Sequence, residues 1–367
     1  MARSVSTTPV RQLLDGLTEA IGRPIATVYL PLPSASPDAT QRFDIRRRNL
    51  PRDLEAAGAS PELAGVVGRA IDGHRHTEGP ALLVVADGDQ ALVDRVLGRP
   101  VSRELVLVGP APALLPALRA EQDDLRHVAL LVDRVGADVW VRSDLAHSEQ
   151  TTEFDGDTEH IHRGAPGGWS QRRFQQRAEN TWESNASEVV AELRELVDLD
   201  EIDRLVAAGD TRAIGFRTEH LPTAARERLL VVDGSRHADH DAFLDAADVA
   251  IRTAAKEAEV SEMRQLREEL AVDAAVDGPQ VLSLLAEGRV ECLFVVDDTE
   301  SDERVEVPFQ LDPLVAGPMA EELGASERGP AADLAVIMAH RMGTAVHVLP
   351  AHGAQLPASG MAARLRG

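Results

Sequence analysis

The most distinctive chemical feature of this sequence is a Gly-Gly-Trp tripeptide, Gly167 to Trp169, within a basic stretch. From His160 to Ala178 the chain has four arginines, two histidines and no acid, whereas Glu149 to Glu159 has five acids and no base. Consecutive glycines allow close approach of the backbone to a ligand, and a helix that begins beside them directs unpaired N–H groups towards an anion. Arginine binds phosphate bidentately, and an indole stacks on a base. The pattern indicates a directed contact with RNA.

This interpretation assigns RNA contacts to backbone and side-chain groups on both sides of the tripeptide. Arg173 and Arg177 are four residues apart and share one face of the helix that Ser170 is predicted to cap. The alternative for Trp169 is structural, with the indole folded back on its own domain. The assigned residues are His162, Arg163, Gly167, Gly168, Trp169, Arg172, Arg173 and Arg177.

A second group of arginines, Arg46, Arg47 and Arg48, lies in the segment 44–53, which Pro51 interrupts. A solvated helix face is the favoured interpretation of this segment. The alternative is an RNA-facing loop, in which these three arginines are candidate contacts to a decoding site.

Other candidates for chemistry are weaker. Asp133 ends an apolar strand, where a ribonuclease-H-like nuclease places a metal-binding aspartate, but such a site needs further carboxylates on neighbouring strands; a hairpin aspartate is favoured. Three histidine pairs lack a second pair at metal-ligand spacing, so surface histidines are favoured and neither a metal nor a cofactor is expected. These pairs are His74 with His76, His160 with His162, and His237 with His240.

Composition restricts the class of protein. A chain of 367 residues with 44% hydrophobic content predicts two or three folded domains. The net charge of −23 excludes a general nucleic-acid binder, because acidic surfaces repel phosphate. One cysteine, Cys292, excludes disulfides and cysteine-based zinc sites. No signal peptide or long apolar run is apparent, so a cytoplasmic protein is expected.

Periodicity predicts an α/β protein, α+β in its multidomain arrangement, with domains at 1–124, 125–258 and 259–367. In the central domain, a hairpin of 127–133 and 137–142 precedes the basic stretch, and a long amphipathic helix follows it. Ala213 to Phe216 and Leu229 to Val232 are predicted strands. The last domain alternates helices and strands, with helices at 280–286 and 331–340 and strands at 290–296 and 345–349. This alternation predicts a layered α/β domain.

Three motifs, in order, resemble the archaeo-eukaryotic class I release factor and Pelota superfamily. Gly167-Gly168-Trp169-Ser170, followed by Arg172, Arg173, Phe174 and Arg177, is similar to that family's Gly-Gly-Gln loop and its following helix. The run from Val281 to Val290 resembles the opening of the family's last domain, and the run from His347 to Arg366 resembles the C-terminus of Pelota. The resemblance is to the bacterial branch of this superfamily, which includes the ribosome-hibernation factor Balon.

The resemblance implies three domains in release-factor-like order and binding in the ribosomal A site. It places the central loop near the peptidyl-transferase centre, in contact with ribosomal RNA, and implies association with elongation factor Tu. In the family, the glutamine of the loop promotes hydrolysis of peptidyl-tRNA. Here Trp169 stands in its place, and an indole has one N–H donor and no carbonyl acceptor. The stop-codon motif Asn-Ile-Lys-Ser is also missing from the first segment.

The leading hypothesis is therefore a non-catalytic factor that occupies the A site of idle or stalled ribosomes, in hibernation or stress. The first alternative is a release or rescue factor that hydrolyses peptidyl-tRNA without the usual glutamine. The second alternative is a divergent metal-dependent ribonuclease that uses Asp133.

Overall fold

A computed structural model describes residues 14, 17, 20–32, 39–77, 79–101, 104–123, 125–143, 148–155, 168–200, 202–297, 305–350, 356 and 360–366. Within these ranges, the side chains of 39, 123, 143, 148–150, 168–180 and 216 are not described. Contacts divide the chain into two compact units. One combines Met1–Asp124 with Val260–Gly367, and the other is Leu125–Glu259. The division into three domains at 124 and 258 stays a prediction, and the mixed α/β class is confirmed.

The unit Leu125–Glu259 is built on a five-stranded sheet of order β7-β6-β5-β8-β9. β5, β6 and β7 are antiparallel neighbours, whereas β8 runs parallel to β5 and β9 parallel to β8. The elements are β5 (His127–Val132), β6 (Gly136–Ser143), β7 (Ser148–Asp155), α4 (Gly168–Leu196), β8 (Arg204–Gly209), α5 (Thr211–His220), α6 (Thr223–Glu227), β9 (Leu229–Val231) and α7 (His240–Ala271), with α7 continuing past Glu259.

Both faces of this sheet are covered, which explains why β5 is apolar at every position after His127. Val128, Leu130 and Val132 face one side and pack with Val189 and Leu193 of α4. On the other side, Ala129, Leu131 and Trp140 pack with Phe243, Ala247 and Ile251 of α7. These α7 residues recur every four positions, so they form one helix face.

The other unit contains three sheets and the remaining elements. Their orders are β3-β2-β1-β4, β10-β16-β11-β15 and β13-β12-β14. The elements from 1–124 are β1 (Ile25–Leu30), α1 (Ala39–Ala56), α2 (Pro61–Gly73), β2 (Ala81–Ala86), β3 (Ala91–Leu97), β4 (Leu105–Gly109) and α3 (Leu115–Asp123). Those that follow α7 are β10 (Ala275–Asp277), α8 (Gln280–Ala286), β11 (Val290–Asp297), β12 (Glu306–Leu311), β13 (Leu314–Ala316), α9 (Pro318–Glu322), β14 (Glu327–Pro330), α10 (Ala331–Arg341), β15 (Ala345–Pro350) and β16 (Met361–Leu365).

One continuous core joins the two chain segments of this unit. Tyr29 and Leu118 from the first segment share a cluster of buried side chains with Leu293, Ile337 and Val348 from the last. A buried carboxylate strengthens the junction, because Asp333 accepts a hydrogen bond of 2.8 Å from the backbone N–H of Leu114. The helices predicted at 280–286 and 331–340 and the strands predicted at 290–296 and 345–349 are confirmed.

Two local predictions are wrong. Ala213 to Phe216 belongs to α5 rather than to a strand, because Asp210 caps a helix there by accepting hydrogen bonds from the N–H groups of Arg212 and Ala213. The second concerns the start of the long helix, which begins at Gly168 and not after Ser170. Glycine and serine are both accepted at helix starts, so the sequence fixes this end only to within two residues. In addition, the structure contains strands that the sequence patterns do not predict, among them β3, β7, β10, β12 to β14 and β16.

No helix in the described part of the chain combines the length and the apolar character needed to cross a membrane.

Candidate functional site

The centre of the candidate site is the tight turn between β5 and β6, which we call the central turn, Asp133–Gly136. The Asp133 carboxylate accepts hydrogen bonds of 2.8 Å from the N–H groups of both Val135 and Gly136. The N–H of Asp133 donates to the carbonyl of Gly136 at 3.2 Å, which closes the hairpin. Asp133 is therefore a hairpin aspartate, as favoured from the sequence.

Arg236, which lies between β9 and α7, connects the carboxylates of three chain segments. Its Nε donates to Asp138 of β6 at 2.8 Å, and its Nη2 donates to Asp155, the last residue of β7, at 2.9 Å. Its Nη1 lies 3.6 Å from the Asp133 carboxylate. Burial opposes the charged form, but the hydrogen bonds that Arg236 donates to Asp138 and Asp155 outweigh it and raise the pKa of Arg236. We call these four residues the arginine–aspartate cluster.

Gly136 makes the close packing of this cluster possible. It lies opposite Asp155 in the register of β6 with β7. A Cβ at this position would stand 1.8 Å from the carbonyl oxygen of Phe154 and 2.8 Å from Nη1 of Arg236. Any larger residue would push the end of β7, the guanidinium or both away from the central turn.

Arg217 of α5 supports the same turn through its backbone. Its Nη1 donates to the carbonyl of Asp133 at 2.9 Å, and its Nη2 donates to the carbonyl of Gly136 at 2.8 Å. Burial lowers the pKa of Arg217 to about 10, so the guanidinium remains a cation at neutral pH. Two cations therefore contact the central turn, Arg217 at its backbone carbonyls and Arg236 at the carboxylate of Asp133.

Arg134 connects the central turn to the long helix α4. Its guanidinium lies 4.7 Å from the centroid of the Trp182 ring and 3.0 Å from the Asp210 carboxylate. Its carbonyl accepts a hydrogen bond of 3.2 Å from the buried side chain of Asn185. The contact of the guanidinium with the Trp182 indole and the hydrogen bond from Asn185 fix the position of α4 relative to the turn.

The central turn therefore contacts both elements that flank residues 156–167. β7 ends at Asp155, which Arg236 binds, and α4 begins at Gly168 and is held further along at Trp182 and Asn185.

The structure describes the predicted RNA-binding residues only in part. His162, Arg163 and Gly167 lie outside the described residues. Gly168 and Trp169 lie in the first turn of α4, and the backbone of the same helix includes Arg172, Arg173 and Arg177, whose side chains are outside the described part. A single helix thus places all five, and their assignment to RNA stays a prediction.

The second predicted group of arginines is helical. Arg46, Arg47 and Arg48 lie on α1, which continues through Pro51, so the interpretation of this segment as a loop is wrong. Proline is compatible with this helix at the cost of one backbone hydrogen bond. Arg46 pairs with Glu104 and Arg47 with Asp72. Arg48 donates from Nε to the carbonyl of Asp44 at 3.1 Å. A contact of these arginines with a decoding site stays a prediction.

Two histidines of the predicted pairs, His74 and His240, have carboxylate or aromatic neighbours. His74 pairs with Asp94 at 2.5 Å, and His240 lies 3.6 Å from Asp138 and edge-on to Trp140. Among the residues that the structure describes, no group of three or more histidine, cysteine, aspartate or glutamate side chains could hold a metal ion. In the ribonuclease alternative the carboxylate of Asp133 binds a metal ion. In the structure this carboxylate accepts hydrogen bonds within the central turn and forms an ion pair with Arg236.

Sequence reasoning missed Arg236, Arg217 and Arg134 as parts of this site. They lie in three separate chain segments, and only the tertiary fold brings them to one turn. The available signal was Asp133 at the end of an apolar strand, because a partly buried carboxylate needs hydrogen-bond donors or a cation.

Comparison with known proteins agrees with the resemblance in the sequence. Residues 126–272 match the model of bacterial archaeo-eukaryotic release factor family 2. Two uncharacterized proteins of Mycobacterium tuberculosis, from strains CDC 1551 and H37Rv, are each 26% identical over 235 residues. The match covers 64% of this chain and 62% of each relative, so the chain spans less than two thirds of their length.

Solved structures of translation factors also match. The archaeal translation termination factor aRF1 is 15% identical, with 98% of this chain and 97% of that chain covered and a TM-score of 0.27. Saccharomyces cerevisiae Dom34, a translation termination-like factor, is 13% identical, with 73% and 74% covered and a TM-score of 0.42. Archaeoglobus fulgidus Pelota is 16% identical, with 78% and 79% covered and a TM-score of 0.32.

At these identities and TM-scores, the likeness to solved structures supports no conclusion about function. The family resemblance therefore depends on the match of residues 126–272 to the family model. That model covers the hairpin, the central turn, the Gly-Gly-Trp tripeptide and α4. Through its central segment, 126–272, this protein is similar to the bacterial branch of the archaeo-eukaryotic release factor superfamily, which confirms the resemblance found in the sequence.

Proposed function

We propose that this protein is a non-catalytic ribosome-binding factor that occupies the A site of idle or stalled ribosomes. The observation that carries the proposal is the Gly-Gly-Trp tripeptide, of which Gly168 and Trp169 begin α4, within a segment that matches the model of a release factor family. In this proposal, the tripeptide and the arginines after it contact ribosomal RNA near the peptidyl-transferase centre. The role is cytoplasmic, in hibernation or stress, and elongation factor Tu is the expected protein partner.

The replacement of glutamine by Trp169 is the reason for proposing occupancy rather than hydrolysis. A glutamine side chain offers both a donor and an acceptor to a water molecule, whereas an indole offers one donor and a large apolar surface. Its ring suits stacking on an unpaired RNA base, which contributes about 1–3 kcal/mol. The proposed function therefore uses the same loop position for binding.

The net charge of −23 supports a directed contact rather than general affinity for nucleic acid. A protein of this charge is repelled by phosphate over most of its surface. Binding must then depend on the few arginines of the basic stretch, and ribosome affinity should fall steeply as salt rises.

Co-sedimentation with ribosomes from resting cells tests the proposal. We expect the native protein in the ribosomal fractions, and absence from all of them contradicts the proposal. The double variant Arg172→Glu, Arg173→Glu should lose about tenfold or more in affinity, because two charge-assisted contacts are replaced by repulsion. The matched control is Arg52→Glu, Arg252→Glu, which makes the same change of charge at two exposed helix positions. Equal losses in both variants would contradict the assignment of the basic stretch.

The release-factor family match favours one further candidate, a release or rescue factor that hydrolyses peptidyl-tRNA without the glutamine. Release of peptide from stalled ribosomes distinguishes the two functions. The occupancy proposal expects no release by the native protein and none gained on adding elongation factor Tu. Release that depends on Gly167 and Gly168 would instead establish the enzymatic function.

A further inference from the structure

Asp155 is the point at which the chain leaves the central sheet for the RNA-directed segment. It is the last residue of β7, and twelve residues, 156–167, separate it from the start of α4. Its side chain is 71% exposed, yet one carboxylate oxygen accepts a hydrogen bond of 2.9 Å from Arg236. An exposed acid beside a segment that binds RNA is electrostatically unfavourable. Its presence there calls for a compensating role.

The partner of Asp155 is held rigidly. The Arg236 side chain is only 11% exposed and is fixed by its second hydrogen bond, to the buried Asp138, at 2.8 Å. A guanidinium whose orientation is already fixed loses little side-chain entropy when it binds a further carboxylate. Arg236 can therefore define the position of the end of β7.

The same turn fixes the helix on the other side. Arg134 stacks on Trp182, and its carbonyl accepts the hydrogen bond from Asn185, so α4 is attached to the central turn as β7 is. Arg172 and Arg173 precede Trp182 by nine or ten residues, about 15 Å along a helix axis. The direction of α4 at its attachment thus determines where these arginines lie.

We propose that Arg236 and Asp155 are positioning residues for ribosome binding: they fix the end of β7 relative to α4 and so orient the RNA-binding segment without contacting RNA. This inference depends on the proposed function for its effect on affinity. The geometric part, the anchoring of β7, is independent of any partner.

A substitution of Asp155 tests the proposal, because its electrostatic effect and the loss of the β7 anchor change ribosome affinity in opposite directions. Asp155→Asn removes a negative charge near the RNA-directed segment, which by electrostatics alone raises ribosome affinity. As a loss of anchoring, the substitution lowers affinity by about threefold, the equivalent of one exposed ion pair. The matched control is Glu153→Gln on the same strand, since Glu153 is exposed and forms no ion pair within the part of the chain that the structure describes.

Ribosome affinity is measured over a series of salt concentrations for the native protein and both variants. We expect Asp155→Asn to bind more weakly and with a smaller dependence on salt, because some arginine–phosphate contacts are lost. Glu153→Gln should bind at least as well as the native protein. A gain of affinity in Asp155→Asn, or equal behaviour of the two variants, overturns the proposal. The thermal unfolding midpoint confirms that each variant is folded.

Hydrogen exchange followed by mass spectrometry separates this proposal from the proposed function. Asp155→Asn should speed amide exchange in peptides that cover 148–155 and leave peptides of β8 unchanged, because only the β7 anchor is lost. Unchanged exchange in β7 overturns the anchoring. If the native protein does not bind ribosomes, the proposed function fails, and exchange alone decides whether Arg236 anchors this strand.

Discussion

The side-chain amide of Gln122 on α3 pairs with both backbone groups of Val348 on the edge strand β15. The Val348 N–H donates to Oε1 at 2.8 Å, and Nε2 donates to the Val348 carbonyl at 2.9 Å. Among the strands that the structure describes, β15 pairs only with β11, so the backbone of Val348 needs partners outside the sheet. A glutamine from the first chain segment of this unit thus satisfies the backbone groups at the edge of a sheet formed by the last chain segment.

Replacement of Gln122 should therefore destabilise the unit formed by Met1–Asp124 and Val260–Gly367. In Gln122→Ala the buried N–H of Val348 loses its acceptor, which costs about 1–3 kcal/mol in the free energy of unfolding. The carbonyl retains a hydrogen bond of 2.8 Å from Arg119. Urea denaturation measures the change, with Gln265→Ala on the exposed face of α7 as the control. Equal stability of the two variants contradicts the role assigned to Gln122.

Removal of the Arg236 side chain should be among the most costly single substitutions in the unit Leu125–Glu259. Arg236→Met leaves the buried Asp138 without its guanidinium, and an uncompensated buried charge costs about 3–5 kcal/mol. Arg252→Met, at an exposed position of α7, should change stability by less than about 0.5 kcal/mol. Chemical denaturation of both variants provides the comparison.

The double variant Arg236→Met, Asp138→Asn isolates the cause of this loss. Because the aspartate charge is removed together with its partner, the double variant should be more stable than Arg236→Met alone. An additive or greater loss would show that packing of the arginine, and not the unpaired carboxylate, dominates.

Two glycines of the same unit should respond to alanine in opposite directions. Gly136→Ala places a methyl group 1.8 Å from a backbone carbonyl that cannot move without shifting β7, so a loss of about 3 kcal/mol or more is expected. Gly215 lies within α5 with no atom within 4 Å of the added methyl group. Gly215→Ala should therefore stabilise by about 0.5–1 kcal/mol through helix propensity. The midpoints of thermal unfolding of both variants test this prediction. A Gly136→Ala variant as stable as the native protein would contradict the close approach of β7 to Gly136.

The single cysteine should be unreactive in the folded protein. Burial raises the pKa of Cys292 to about 12, from an ordinary value of 9.0. Only the thiolate reacts with iodoacetamide, so at pH 8 alkylation should be about a thousandfold slower than for an exposed cysteine. Alkylation in urea, where the thiol is exposed, should proceed to one label per chain. Rapid labelling of the native protein would contradict the burial of Cys292.

Local sequence patterns determined much of the fold. The run from Val290 to Val296 is apolar at every position except Glu291, and it forms a strand covered by other elements, because burial on both faces explains such a run. Ser60 followed by Pro61 starts a helix, since the serine accepts a hydrogen bond from the N–H of Leu63 and the proline needs no donor at that place. Such signals act within a few residues, and the sequence displays them directly.

The weaker predictions failed where local signals were ambiguous. Ala213 to Phe216 is a four-residue apolar run that fits either a strand or a helix, and the cap at Asp210 decided for the helix. β7 has polar residues on both faces because it is an edge strand, so it lacks the alternation that identifies a strand in sequence.

By itself, the sequence indicated a resemblance to the release factor superfamily and predicted a contact of the basic stretch with RNA, because the Gly-Gly-Trp tripeptide and its arginines lie close together in the chain. Only the tertiary structure decided what holds that segment. Asp133, Asp155, Arg217 and Arg236 are separated by up to about a hundred residues, and each of them is an ordinary charged residue in sequence. Their roles depend on distances of a few ångströms across a sheet, which arise only when strands that are remote in the chain become neighbours.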